Sequence, residues 1–147
     1  MEIDKLISAI KKLTPETKPK WGKMNATQMV WHCKKFIIFY QNEKNYPPNL
    51  STKTLGYMHM FFLRHIIKWD YDKYPKNAPT LKFFDPAKAK DEDLEDEKKE
   101  LIKRLKMVYE YDQEFIVNTM HGKVERDTFK EVVRGHTSFH LKQFGVL

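Results

Sequence analysis

Apolar residues recur at intervals of three and four along most of the 147-residue chain, the period of helices that bury one face. Residues 2 to 13 show it first, and TPETKPKWGKM then breaks it. Asn25, followed three residues later by Gln28, has the form of a capping box, which predicts a second helix from Ala26 to Lys44. NYPPNLS ends that helix, and a third is predicted from Thr52 to Trp69. An irregular stretch follows from Tyr71 to Lys90, with prolines at 75, 79 and 86; a loop of this length is unusual in a compact domain. The fourth and longest predicted helix runs from Asp93 to Thr119. After the turn MHGKV a fifth runs from Glu125 to Phe144. Val124-Glu125-Arg126-Asp127 offers no good N-cap, so that helix could begin as late as Asp127.

Five helices with connections that let neighbours run antiparallel predict one all-α domain over residues 1–147. The expected architecture is a four-helix bundle, the short first helix lying across it and sheet content near zero. Five glycines and a 41% hydrophobic composition agree with long helices around a core. No internal repeat, low-complexity tract or linker interrupts the pattern. The single cysteine, Cys33, excludes an internal disulfide and points to a reducing, cytoplasmic setting. The start MEIDKLISAIKK lacks the basic residues and unbroken apolar run of an export signal. The most apolar window, Met58 to Ile67, is interrupted by His59, Arg64 and His65 and is too short to span a bilayer, so no membrane partner is expected.

A net charge of +7 raises the question of nucleic acid. The basic residues are dispersed, however, and the densest run, EKKELIKRLK, interleaves acids at helical spacing, as solvated helix faces do. A basic nucleic-acid-binding module is therefore the weakest of the functional readings.

The chemistry concentrates near the end, in GHTSFHLKQFG, residues 135 to 145. His136 and His140 differ by about 40° around a helix and share a face with Phe129, Val132, Val133, Phe139 and Gln143. Two histidines projecting from an apolar stripe must satisfy four ring nitrogens away from water. His32 falls within the inward arc of the second helix, beside Met29, Cys33, Phe36, Phe39 and Tyr40. One such histidine is ordinarily a core residue bonded to a carbonyl or an acid, and an HxxxH pair alone is common. Together, three imidazoles facing one interior match the way bundles build metal sites. Three protein ligands leave a coordination position open, the pattern of catalytic rather than structural zinc.

An inward acid could orient such ligands. Asp112, in the predicted stripe Leu101, Leu105, Val108, Phe115, is the best candidate, with a distant partner as the alternative. Gln143 could bond a ligand or only a helix-end carbonyl. A Cys33–His32 catalytic pair is disfavoured, since adjacent helical residues diverge by about 100° and an apolar setting leaves a thiol inert. His59, His65 and His121 look ordinary. Trp31 and Ile38 point away from the core stripe, to pack on the first helix or to form a homodimer contact.

WGKMNATQMVWH, residues 21 to 32, and NTMHGKVERDTFKEVVRGHTSFHLKQFG, residues 118 to 145, resemble the two ends of the DinB-like superfamily of four-helix-bundle metalloenzymes. The likeness is to a subgroup that reads W-G-K-M and a histidine near the start, and H-x-x-x-H-L-x-Q-F-G at the end. It rests on these end motifs; the middle agrees only in the order of helices. The resemblance implies that His32, His136 and His140 are the first, second and third ligands of one divalent metal. Zinc and nickel both suit imidazole. It also supplies the reaction candidates: metal-dependent hydrolysis, or transfer or isomerisation with a low-molecular-weight thiol, the metal lowering the pKa of bound water or of the thiol. The implied partner is a small-molecule substrate. The chain departs from the pattern at Ser138 and Phe139, where an acid and a further histidine often stand, at Gly135, a poor helix former before His136, and at Thr119-Met120-His121, which replace the proline and aromatics of the rim. Non-catalytic metal-binding or interaction protein is the alternative reading.

Overall fold

The computed structural model describes residues 2–147. Its first helix, α1 (Glu2–Lys12), places acids in its first turn and lysines in its last, matching the helix dipole. It buries Ile3, Leu6, Ala9 and Ile10 against two later helices. The buried Lys98 ammonium donates to the carbonyls of Lys11 (3.1 Å) and Leu13 (2.9 Å), satisfying acceptors that the end of α1 leaves open.

The predicted capping box is present at α2 (Ala26–Gln41). Asn25 Oδ1 accepts from the Gln28 amide at 2.8 Å, and Gln28 Oε1 accepts from the Asn25 amide at 2.9 Å. The helix ends at Gln41 and not at Lys44, because Asn42 turns left-handed (φ 53°). The next helix, α3, runs through Thr52–Gly56, Tyr57–Phe61 and Phe62–Ile66, with π-type turns in its first and last segments. The stretch read as an irregular loop carries three 3₁₀ turns, Tyr71–Lys73, Lys82–Phe84 and Pro86–Lys88, the last two packed against α2.

The fourth predicted helix is corrected. α4 (Leu94–Glu110) stops well short of Thr119, and Tyr111 takes an extended ψ of 121°. Beyond it, β1 (Phe115–Asn118) pairs antiparallel with β2 (Gly122–Glu125), Asn118 opposite Gly122. The expectation of near-zero sheet content missed this hairpin. FIVN and GKVE are short β-favouring runs joined by three residues, and Gly122 supplies the positive φ (75°) that such a loop needs. Asp112, assigned to the inward stripe of a continuing helix, lies in the link and is exposed.

α5 (Arg126–Gln143) starts one residue after the expected Glu125, with no side-chain cap. Helices α1, α2, α4 and α5 pack on one another around the core, while α3 lies against β2 at the hairpin end. Gly56 makes that approach possible, since a Cβ there would sit 2.0 Å from the Met120 carbonyl oxygen. Among the described residues the fold is mostly helical, with one two-stranded sheet.

Candidate metal centre

Histidines 32, 136 and 140 converge where α2 meets α5. His32 Nε2 lies 3.1 Å from His136 Nε2 and 3.2 Å from His140 Nε2. Each ring offers one ligand atom, all within 4.8 Å of one another, so the group could hold a metal ion. The two α5 histidines lie one turn apart, as their spacing predicts, with their rings edge-on at 4.7 Å between centroids. His32 meets them because α2 turns the face containing Met29, Cys33 and Phe36 into the same core.

Neighbouring groups decide which nitrogens are free. His32 Nδ1 lies 2.5 Å from the Phe84 carbonyl oxygen, which can only accept, so this nitrogen carries the proton and Nε2 keeps its lone pair. His140 Nδ1 lies 2.8 Å from Gln143 Oε1. Gln143 Nε2 in turn donates to the Trp21 carbonyl at 2.8 Å, which assigns the amide's orientation. His140 Nε2 is therefore also a lone pair. Two bare nitrogens thus face each other at 3.2 Å, and a proton on His136 Nε2 could neutralise only part of the repulsion. A cation at the centre satisfies all three at once, so the donor set fits a metal ion.

Burial keeps these rings neutral, the form in which imidazole binds metal. His140 is pushed down to about 3, chiefly by burial and then by the nearby His32, against a raising contribution from Gln143. His136 is held well below the ordinary value by burial and by the charges of His140, His32 and His59. His32 is lowered by burial, opposed by the Phe84 carbonyl and Asp85. His136 stacks on Phe36 with ring centroids 3.8 Å apart, while its buried Nδ1 has no partner among the described residues. His136 and His140 retain partly exposed surface, whereas His32 is buried.

The two sequence motifs that frame the site interlock. The Lys20 amide donates to the Gln143 carbonyl at 2.7 Å, and the Trp21 carbonyl receives the Gln143 side chain. Gly22 (φ 82°) permits this approach, since a Cβ there would sit 2.8 Å from Gln143 Nε2. Gln143 is thus the orienting group beside His140. Asp112 is not brought to the site: its carboxylate is exposed and accepts from Gln113 Nε2 at 2.8 Å. Ser138 is buried and donates to the Gly135 carbonyl at 3.1 Å, a local helix contact that serves no histidine. Cys33 is fully buried beside Met29, and burial pushes its thiol pKa up, which removes it as a nucleophile.

Two features escaped the sequence. The Phe84 carbonyl is a backbone atom in the irregular stretch, with no side-chain signature. The second is a chain of hydrogen bonds, buried at its Tyr40 end and half-buried at Tyr74, through histidines that look ordinary in sequence. Tyr40 Oη meets His121 Nδ1 at 2.7 Å, His121 Nε2 meets His59 Nδ1 at 2.9 Å, and His59 Nε2 meets Tyr74 Oη at 2.9 Å. Tyr40 stacks on Phe36, the ring that also covers His136, and Tyr74 packs edge-on to Phe139 beside His140. Single aromatic rings therefore stand between this chain and the three-histidine group.

Comparison with family models, curated proteins and solved structures finds no match to this chain.

Proposed function

We propose that the protein binds one divalent metal ion, zinc or nickel, through His32, His136 and His140. The carrying observation is the convergence of three Nε2 atoms, two of them left as lone pairs by Phe84 and Gln143. The proposed fold is the DinB-like four-helix bundle, a reading supported by the end motifs and by the placement of these histidines at a helix–helix junction. The proposed setting is cytoplasmic.

Three protein ligands leave room for a further ligand, and His136 and His140 are less completely buried than His32. A divalent ion held there supplies Lewis acidity, which makes hydroxide or thiolate available near neutral pH. Gln143 and the Phe84 carbonyl hold two imidazoles in the metal-binding tautomer, and the surrounding aromatic rings limit water. This arrangement suits a metal-dependent hydrolase or a thiol-dependent transferase acting on a small molecule, with a low-molecular-weight thiol as one co-substrate class. The alternative, metal binding without catalysis, predicts metal retention with no turnover across those substrate classes.

The test is elemental analysis of protein expressed without an affinity tag, beside a His136→Ala/His140→Ala variant. The expected result is about one equivalent of metal in the wild type and none in the variant. Wild-type protein that is metal-free and takes up neither added zinc nor nickel would reduce the histidines to core polar residues.

A further inference from the structure

Helix α3 carries apolar residues on both sides. Its inward residues Gly56, Met60 and Leu63 are buried, as is Ile67 just after it. Its outward residues Leu55, Tyr57, Met58, Phe61 and Ile66 are 55% to 67% exposed, and Leu50 before them is 77% exposed. Exposed Lys53, Thr54, Arg64 and His65 lie among them, so this face combines large apolar side chains with polar and basic ones. The outer face of α4 shows the usual alternative, with Glu95, Asp96, Lys99, Glu100, Lys103 and Lys106 in solvent. An apolar row of this extent marks a docking surface.

The charge around the row indicates what covers it. Between Glu43 and Asp70 the chain contains no acidic residue, while Lys44, Lys53, Arg64 and Lys68 are all exposed. We propose that the outer face of α3 docks on an anionic phospholipid surface, with Leu55, Met58, Phe61 and Ile66 entering the headgroup boundary and the flanking cations pairing with lipid phosphates. Interfacial helices combine these two features, an apolar face and a basic border. A shallow groove lined by Lys53, Thr54, Tyr57, Met58 and Phe61 runs along the row, its surface mostly apolar with the Lys53 cation at its edge. A second copy is a poorer occupant. Two α3 faces brought together would oppose Lys53, Arg64 and Lys68 of both chains, and the segment supplies no acid to offset them. Among the described residues no helix is long and apolar enough to cross a membrane. The absence of a membrane partner expected from the sequence rested on that length criterion, which does not bear on a helix lying in the interface.

The experiment is co-sedimentation of the full chain, tag-free, with vesicles of neutral phosphatidylcholine alone or containing about one-third phosphatidylglycerol. The expected result is binding to the anionic vesicles only, weakened by salt. Met58→Ser/Phe61→Ser should weaken it by roughly tenfold or more, since both exposed side chains lose their apolar transfer, and Lys53→Glu/Lys68→Glu should weaken it as well. Circular dichroism and metal content of both variants should match the wild type, which separates loss of docking from loss of fold. Absence of binding to anionic vesicles, or unchanged binding by the serine variant, would overturn the proposal. So would a dimer in light scattering that the serine variant makes monomeric, because the face would then be an interface between copies.

Discussion

Gln143 Oε1 lies 2.8 Å from His140 Nδ1, and the same amide donates to the Trp21 carbonyl. One side chain therefore connects the residue-20 loop to the tautomer of a histidine on α5. Groups that orient a metal ligand in this way typically affect affinity by about 10–100-fold. Gln143→Leu should weaken zinc binding by about that factor, measured by competition with a chromogenic chelator. Gln143→Glu keeps the acceptor for His140 and should bind more tightly than the leucine variant. Wild-type affinity in Gln143→Leu would show that the contact does not orient the ligand.

Metal-free protein should lose stability in mild acid. Burial holds His121 and His140 down to about 3, against 6.5 for an exposed histidine. Between those values the unfolded chain binds protons that the folded chain does not, so unfolding becomes easier as pH falls through 6.5. Each such histidine contributes up to about 1.4 kcal/mol of loss for one pH unit below that point. Urea midpoints measured in chelator at about pH 7.5 and about pH 5.5 should differ, with the acidic midpoint lower. Equal midpoints would mean that these histidines are not kept neutral by the fold.

Added metal should stabilise the protein through the same site. A ligand that binds only the folded state at about a thousand times its Kd contributes about 4 kcal/mol. Thermal unfolding with zinc should shift upward in the wild type and stay unchanged in His136→Ala/His140→Ala. An equal shift in both would place the metal elsewhere.

Gly135, a poor helix former in the middle of α5, has a packing reason. A Cβ there would lie 1.8 Å from Tyr71 Cε2, so the Tyr71 ring closes directly on the helix backbone. Gly135→Ala gains about 1 kcal/mol of helix propensity but forces the ring to move, and overpacking of this kind commonly costs more. A net loss of about 1–2 kcal/mol in urea unfolding is expected, partly recovered by adding Tyr71→Leu. A stabilised Gly135→Ala would show that the ring yields freely.

Tyr40 Oη lies 2.7 Å from His121 Nδ1 in the core. Tyr40→Phe leaves His121 Nδ1 buried without its partner, at a cost of about 1–3 kcal/mol. Metal content should remain at one equivalent, because Phe36 and Phe139 separate this chain from the ligands. Unchanged stability would indicate that the hydroxyl and the imidazole do not meet in solution.

What the sequence determined by itself is local. The Asn25–Gln28 box, the starts and apolar faces of α2 and α5, and the shared direction of His136 and His140 all follow from contacts three or four residues apart, which helical geometry dictates. The same periodicity misled at Asp112, because a helical pattern continues on paper through Tyr111 while the chain turns extended and pairs as a hairpin. Only the tertiary structure decided that His32 meets partners 104 and 108 residues away, that a carbonyl at Phe84 orients it, and that His59 and His121 join two tyrosines. Periodicity states which way a side chain points from its own axis; it contains nothing about which element packs opposite, and a backbone oxygen has no residue type to announce it.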